Sequence, residues 1–180
     1  MPHDLTKVDP KLKAREGACR AIVETPKGRR QKLDYDPKEK MFRLKALLPD
    51  GMSFPMDFGF VPSTLADDGD PLDVMILADE PTPTATLLDI RLIGVIEAEE
   101  VENGKTERND RVLAVAAISH LYASLKSVGD LEKPFIDNLV QFWTNKNRLE
   151  GKTFKCIGVR GPTAAVERVR KAMKRADKKA

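Results

Sequence analysis

The chain of 180 residues is 41% hydrophobic and has a formal net charge of +3, which is enough apolar material for a core, and we expect one domain over residues 1–180. No stretch approaches the roughly 18 consecutive apolar residues of a membrane span, and the N-terminus lacks the apolar core of a signal peptide, so we expect a cytoplasmic protein. The two cysteines, Cys19 and Cys156, lie far apart in the sequence and indicate neither a disulfide framework nor a zinc-binding motif.

The first 117 residues have the pattern of β-strands. Short segments of alternating apolar and polar residues follow one another with turn residues between them, and the polar stretch VENGKTERND joins the last two. The predicted strands are CRAIVETP, RQKLDYD, MFRLKALL, DVMILAD, DIRLIGVIEAEE and RVLAVAA. Closely spaced strands with short turns favour an antiparallel sheet that closes into a barrel.

The last third of the chain changes to a helical period. Apolar residues recur at helical spacing from Leu131 to Trp143, and Pro134 is compatible with the first turn of a helix. TFKCIGVRG then predicts a strand, and a second amphipathic helix begins at Pro162. The predicted fold class is α+β: a closed five-stranded β-barrel of antiparallel type, similar to an OB-fold, flanked by α-helices.

Positive charge is concentrated at the C-terminus. Residues 166–180 contain seven Lys and Arg against two acidic residues. We interpret this run as a solvated helix end, which is the usual meaning of such a pattern. The alternative is a nucleic-acid-binding surface on the barrel, although the predicted strands lack exposed aromatic residues on which bases could stack.

Four aspartates lie within seven residues of the segment LADDGDPLDVMIL, directly before an apolar stretch that should be buried. They are Asp67, Asp68, Asp70 and Asp73. A polar turn explains the Gly and Pro of this segment but explains Asp73 poorly, because Asp is a weak strand former. An EF-hand calcium loop requires acidic or amide residues at alternate positions, and Pro71 and Leu72 occupy the wrong places.

A magnesium site is the third interpretation of these carboxylates. Carboxylates this close repel one another unless a proton or a hard divalent cation neutralises them. Bound magnesium also lowers the pKa of water, and a neighbouring carboxylate can take the proton. A phosphate substrate would require cations nearby, and Lys32, Lys45 and Arg111 are candidates on or beside predicted strands. The sequence has neither a Walker-type glycine loop nor a Rossmann fingerprint.

The segment DDGDPLDVMIL resembles the signature of the family I soluble inorganic pyrophosphatases. The similarity extends to AIVETPKG before the signature, and to RLIGVIEAEE, RVLAVA and LEGKTFK after it. The resemblance implies a five-stranded barrel flanked by helices and Mg²⁺-dependent hydrolysis of pyrophosphate to two phosphates. It also implies a cytosolic location and, as is usual for bacterial members, a homo-hexamer.

The same resemblance implies roles for particular residues. Asp70 would be the catalytic residue that orients or deprotonates the attacking water. The implied metal ligands are Glu24, Asp68, Asp70, Asp73, Glu102 and Asp110. The implied phosphate-binding residues are Lys32, Lys45, Arg111 and Lys146.

The sequence departs from the family pattern at several positions around the expected phosphates. Asp34, Lys45, Phe58 and Arg111 stand where the pattern has Glu, Arg, Tyr and Lys, respectively. NKNRLE replaces a Tyr-Lys pair, so that Lys146 supplies charge without a phenol. In the acidic link, Glu102 falls near one expected Asp. The second expected Asp corresponds to Asn109 or Asp110, depending on where a gap is placed in the alignment. We predict that Asp110 is the metal ligand.

The function predicted from these observations is that of an Mg²⁺-dependent inorganic pyrophosphatase. One alternative is a diverged paralogue that binds phosphate or pyrophosphate with little turnover, since the departures lie together around the phosphates. The other is a nucleic-acid-binding barrel that uses the basic C-terminal helix.

Overall fold

The computed structural model describes residues 4–179, which form nine β-strands, two α-helices and two short 3₁₀ helices. The strands are β1 (Ala18–Thr25), β2 (Gln31–Asp36), β3 (Met41–Leu47), β4 (Asp57–Val61), β5 (Leu72–Leu77), β6 (Leu87–Glu102), β7 (Lys105–Arg108), β8 (Arg111–Ala116) and β9 (Thr153–Arg160). The helices are α1 (Lys133–Leu149) and α2 (Pro162–Lys179), and the 3₁₀ helices are Leu5–Lys7 and Val128–Asp130. Within this range no helix is both long and apolar enough to cross a membrane.

Five strands close into a ring in the order β1, β4, β5, β8, β6 and back to β1. Every pair in the ring is antiparallel except β5–β8, which is parallel. β2 and β3 form a separate hairpin, and β7 and β9 extend the sheet from β6. The ring of five strands and the two flanking helices confirm the predicted fold class, and the parallel pair adds a feature that the strand pattern does not reveal.

The polar stretch between β6 and β8 is more ordered than the sequence predicts. β6 runs to Glu102 and turns back into β7 through Asn103 and Gly104, which have φ angles of 51° and 76°. Two successive residues with positive φ form the kind of tight turn that suits the twist of a β-hairpin. The predicted link is therefore a strand, a turn and a strand, and it projects from the ring beside the aspartate-rich segment.

Successive residues of the ring strands belong to two different hydrophobic clusters. Val74 and Ile76 of β5 belong to the cluster that packs against α2, which we call the α2-side cluster. Met75 and Leu77 belong to the cluster that includes Trp143 of α1, which we call the α1-side cluster. Because side chains of a strand alternate between its two faces, the cluster that a strand residue belongs to shows which helix it faces.

The close approach of β1 and β4 depends on Gly59. A Cβ atom at this position would lie 1.9 Å from the carbonyl oxygen of Ile22. We expect Gly59→Ala to lower the free energy of unfolding by about 3 kcal/mol or more, because backbone rather than a flexible side chain would have to move. Urea unfolding of the metal-free protein measures this effect. Gly161→Ala is the matched control, since its Cβ would meet its nearest neighbour at 3.7 Å. Equal stability of the two variants would contradict the packing argument.

Candidate active site

A broad cleft opens at one end of the ring of strands. Its walls are the β2–β3 hairpin, the loop between β4 and β5, the β6–β7 hairpin, and parts of α1 and α2. Nine of the ten residues predicted for catalysis, metal binding or phosphate binding line this cleft. They are Glu24, Lys32, Lys45, Asp68, Asp70, Asp73, Glu102, Arg111 and Lys146. Residues that lie far apart in the sequence thus meet around one opening.

The aspartate-rich segment forms the loop between β4 and β5. Thr64 closes the base of this loop, because its hydroxyl donates to the carbonyl of Val61 (2.5 Å) and accepts from the amide of Leu72 (2.9 Å). Near the tip, the amide of Asp70 donates to the carboxylate of Asp68 (3.1 Å). The loop therefore has a defined shape, and it presents these two aspartates at the mouth of the cleft.

Asp73 and Arg111 face each other from the neighbouring strands β5 and β8. Asp73 lies on the same face of β5 as Met75, and Arg111 lies on the same face of β8 as Leu113, so both continue the α1-side cluster into the cleft. A guanidinium nitrogen of Arg111 lies 2.6 Å from the carboxylate of Asp73. The alternation of side chains along two apolar strands thus places a carboxylate and a guanidinium at the cleft floor.

Arg111 is the most heavily contacted cation of the site. Besides Asp73, it pairs with Glu100 of β6 at 3.0 Å and contacts the side chain of Asn109. Its guanidinium lies 4.5 Å from the centre of the Trp143 ring, a geometry in which the ring face attracts the cation. Its Nε is buried and has no hydrogen-bond partner among the described residues. An anionic oxygen would satisfy this donor.

Two carboxyl groups of the cleft are buried, which makes their charged forms costly. Burial raises the pKa of Glu24 to about 8, although the amide of Tyr35 donates to its carboxylate (2.8 Å) and lowers this value. Burial also raises the pKa of Asp73 to about 6, with Arg111 acting in the opposite direction and Asp68 adding to the rise. Raised pKa values of neighbouring carboxyls indicate a site that would gain from a bound cation.

Lys32 and Lys45 converge on one carboxylate. The ammonium groups of Lys32 on β2 and Lys45 on β3 lie 3.1 and 3.4 Å from the carboxylate of Asp34. Burial opposes the charged form of Lys32, but Asp34 outweighs it, so the pKa of Lys32 is raised. Both lysines line the cleft, as Arg111 does.

Lys146 enters the cleft from the last turns of α1. It is buried, lies 2.7 Å from the carboxylate of Glu150, and stands 5.6 Å from the centre of the Trp143 ring. Burial lowers the pKa of Lys146, and the charges of Lys32 and Arg111 lower it further. The hydrogen bond to Glu150 opposes this shift.

The structure does not bring Asp110 to the cleft. Asp110 lies on the opposite face of its strand, where its carboxylate accepts from the amide of Ala98 (3.0 Å) and pairs with Arg108 (2.6 Å) and Arg168 (2.8 Å). These contacts place it on the α2 side of the sheet. Because successive side chains of an extended chain point to opposite sides, Asp110 and Arg111 cannot both face the cleft. We therefore correct the predicted metal ligand of the acidic link: Asn109, not Asp110, lies on the cleft side.

Two residues of the cleft were missed from the sequence. Glu100 contacts Arg111, and the amide of Asn147 donates to Glu100 (3.2 Å). Asn109, the other candidate of the acidic link, also contacts Arg111, since it lies two residues earlier and shares its face. Glu102, which we predicted, lies further out on the rim and pairs with Lys152 (3.0 Å).

Among residues 4–179, no three His, Cys, Asp or Glu side chains lie close enough together to bind a metal ion. Arg111 instead bridges Asp73 and Glu100. The donors around the cleft are nevertheless all carboxylate or amide oxygens, which is the ligand type that Mg²⁺ prefers.

Comparisons with known proteins agree on one family. Residues 21–177 match the family described as inorganic pyrophosphatase. The chain belongs to the inorganic pyrophosphatase family. The inorganic pyrophosphatase of Synechocystis sp. is 32% identical over 171 residues, which are 95% of this chain and 98% of that protein. The crystal structure of the inorganic pyrophosphatase from Thermus thermophilus superposes with a TM-score of 0.89 at 29% identity, covering 97% of this chain and 99% of that one. A structure from Neisseria gonorrhoeae gives 0.86 at 26% identity, covering 97% and 99%.

Membership of the inorganic pyrophosphatase family confirms the resemblance inferred from the signature segment, and the family is metal-dependent. One departure from the family pattern lies at the cleft floor. Phe58 is buried, with its ring centre 5.2 Å from that of Trp143 and 5.7 Å from that of Phe54. This member therefore presents aromatic packing where the family pattern has a phenol.

Proposed function

We propose that this chain is a cytoplasmic enzyme that hydrolyses inorganic pyrophosphate to two phosphates with Mg²⁺. One observation carries the proposal beyond family membership: carboxylates, lysines and a guanidinium from different elements line the same cleft. A pyrophosphate anion needs the cations, and a divalent metal needs the carboxylates. A site that holds both kinds of group around one opening suits a metal–pyrophosphate complex.

The oxygen-rich acidic side of the cleft fits Mg²⁺. Its proposed ligands are Glu24, Asp68, Asp70 and Asp73, with Glu102 at the rim; Glu100 and Asn109 are further oxygen donors of the cleft. When bound, Mg²⁺ would neutralise these carboxylates and make a water molecule more acidic. The raised pKa values of Glu24 and Asp73 support this, since each reports a charge that the protein alone does not compensate.

The protein's own groups would divide the remaining work. Asp70 is exposed at the tip of its loop, where its carboxylate can orient the attacking water and accept its proton. Lys32, Lys45, Arg111 and Lys146 would hold the phosphates and neutralise the charge that develops on their oxygens. The unpartnered Nε of Arg111 is one donor that a phosphate oxygen would satisfy.

A phosphate-release assay tests the proposal directly. Purified protein is incubated with pyrophosphate and millimolar Mg²⁺, and orthophosphate is measured over time against a sample with excess chelator. Metal-dependent release supports the proposal. Tight pyrophosphate binding without release would instead support the diverged paralogue. Salt-dependent binding of single-stranded nucleic acid, with neither pyrophosphate binding nor release, would support the nucleic-acid-binding barrel.

Magnesium should stabilise the folded protein. Neutralising Asp68, Asp70 and Asp73 removes repulsion that is present only when the loop is folded, and a ligand that binds only the native state at about 100 times its Kd adds about 2.7 kcal/mol. For a chain of this size that corresponds to a rise in Tm of roughly 5–10 °C. Thermal unfolding in chelator and in excess Mg²⁺ measures this difference. An unchanged Tm would favour the polar-turn interpretation of the aspartates.

We also propose that residues 1–180 act as one domain and that the protein assembles as a homo-hexamer, as the family resemblance implies. The exposed apolar side chains support self-association, and the most exposed are Ile118 (80%) and Leu121 (71%). Light scattering coupled to size-exclusion chromatography determines the assembly, and a monomer at micromolar concentration would contradict it.

A further inference from the structure

The basic C-terminal helix contacts the aspartate-rich loop directly, which gives part of its charge a specific role. Arg175 of α2 lies beside residues 65–67, the segment that leads into Asp68. One nitrogen of its guanidinium donates to the carbonyl of Leu65 (3.2 Å), and another lies 2.6 Å from the carboxylate of Asp67. A single guanidinium therefore holds both the main chain and a side chain of the loop.

A backbone contact reinforces this attachment. The amide of Leu65 donates to the carbonyl of Ala172, one turn before Arg175 on the same helix (3.0 Å). Ala172 itself is buried in the α2-side cluster, so the helix is a fixed support. The loop is held a second time at Ser63, whose amide donates to the carbonyl of Thr6 (2.7 Å). α2 thus holds this stretch at Leu65 and Asp67, and the N-terminal segment holds it at Ser63.

We propose that Arg175 is a positioning residue that holds the loop in the shape in which Asp68 and Asp70 can bind the metal. The part of this inference that concerns metal rests on the proposed function. Arg175 touches neither carboxylate of the pair and acts only through Leu65 and Asp67. A guanidinium suits this role because its planar fork donates in two directions at once, which a lysine ammonium does not reproduce.

The position of Arg175 allows local order to be separated from overall stability. Its side chain is 42% exposed and that of Asp67 is 41% exposed, so the ion pair adds little to the stability of the whole domain. Its effect falls on a loop whose other hydrogen bonds at the tip run within the loop itself, from the amides of Ala66 and Asp70, and such loops can open locally without global unfolding. Removal of Arg175 should therefore loosen the loop and leave the barrel folded.

The sign of the expected change distinguishes positioning from simple electrostatics. Removing a cation near an acidic cleft should strengthen the binding of Mg²⁺ if charge alone mattered. If Arg175 positions the loop, Arg175→Ala should weaken the binding of Mg²⁺. Changes to groups that orient metal ligands reduce metal affinity by about 10- to 100-fold. Arg175 acts one contact further away, and we expect about a three- to tenfold rise in Kd.

The experiment uses Arg175→Ala and Arg175→Lys in the full chain, with Arg170→Ala as the matched control. Arg170 is exposed on the same helix and forms no ion pair among residues 4–179. Calorimetric titration with Mg²⁺ gives the Kd of each folded variant. Hydrogen–deuterium exchange of the metal-free proteins reports the order of residues 65–70 independently of any metal.

We expect Arg175→Ala to raise both the Kd and the exchange of residues 65–70, Arg175→Lys to restore them in part, and Arg170→Ala to match the wild type. Wild-type exchange in Arg175→Ala would overturn the inference whether or not the protein binds metal. Faster exchange with an unchanged or lower Kd would overturn the link to metal binding. Absence of Mg²⁺ binding by the wild-type protein would overturn the proposed function, and with it the metal-binding role of the loop.

Discussion

Asp70→Asn should reduce the turnover of pyrophosphate by about 10²- to 10⁴-fold, the range expected when a general base is lost. The side chain keeps its size and remains able to accept hydrogen bonds, but it no longer takes a proton at neutral pH. Asp70 is exposed, so its replacement should not disturb the core. The measurement is kcat for phosphate release at saturating Mg²⁺, together with a thermal unfolding curve.

The control for Asp70→Asn is Asp177→Asn. Asp177 is also an exposed carboxylate that lines the cleft, but it lies on α2 and is not one of the proposed metal ligands. Its replacement should change kcat by less than about twofold, because a single exposed charge in water has a small effect. If Asp70→Asn keeps most of the wild-type turnover with metal bound, Asp70 does not handle the proton.

Arg111→Met should have the largest combined effect on stability and activity. Arg111 is buried and neutralises Asp73 and Glu100, so its loss leaves two partly buried carboxylates without a cation. Breaking a buried ion pair in this way costs about 3–5 kcal/mol. We expect the metal-free variant to lose at least about 3 kcal/mol, with a part restored by Mg²⁺, which supplies the missing positive charge.

The stability of this variant should depend on pH in a defined direction. The pKa of Asp73 is raised from 3.8 to about 6 in the folded protein, and Arg111 lowers it. A carboxyl with a higher pKa in the folded state binds a proton on folding, so stability falls as the pH rises between the two values. Without Arg111, the pKa of Asp73 in the folded protein should be higher still. The stability difference between variant and wild type should therefore be small near pH 4 and larger near pH 8.

Urea unfolding of Arg111→Met at both pH values, with Arg160→Met alongside, measures this prediction. Arg160 also pairs with a carboxylate, that of Glu97, but its side chain is 64% exposed, so its loss should cost less than about 1 kcal/mol. Equal losses for the two variants would show that the buried pair has no special weight. A larger loss at pH 4 than at pH 8 would contradict the sign derived for Asp73.

Site residues could be predicted from the sequence only where they form a recognisable local pattern. The aspartate cluster could be found from the local sequence, because Asp68, Asp70 and Asp73 place several negative charges directly beside an apolar strand. Glu100 gave no comparable signal, since it is one of several acidic residues at the end of β6. Its place in the site depends on a guanidinium that comes from another strand.

One β-bulge explains why the facing of β6 could not be read by counting. The register with β8 shifts between Leu92 and Gly94, where β6 contains one extra residue. Leu92 packs in the α2-side cluster. Ile96 and Ala98 follow it by an even number of residues and would face the same way in a regular strand, but they pack in the α1-side cluster. One extra residue in a strand reverses every later side chain, and the pattern of residues does not mark where it is inserted.

The sequence by itself determined seven of the nine strands, the two helices, the aspartate loop and the family to which the chain belongs, because hydrophobic period, turn residues and a compact signature are local properties. It did not predict β4 and β7. Tertiary structure decided the parallel pairing of β5 with β8, the placement of Asn109 rather than Asp110 in the cleft, the bridge from Arg111 to Glu100, and the contact of Arg175 with the loop. Each of these depends on strand register or on which elements pack together. Such relations join residues up to 110 positions apart, as Leu65 and Arg175 are, and nothing in the neighbouring sequence of either residue specifies its partner.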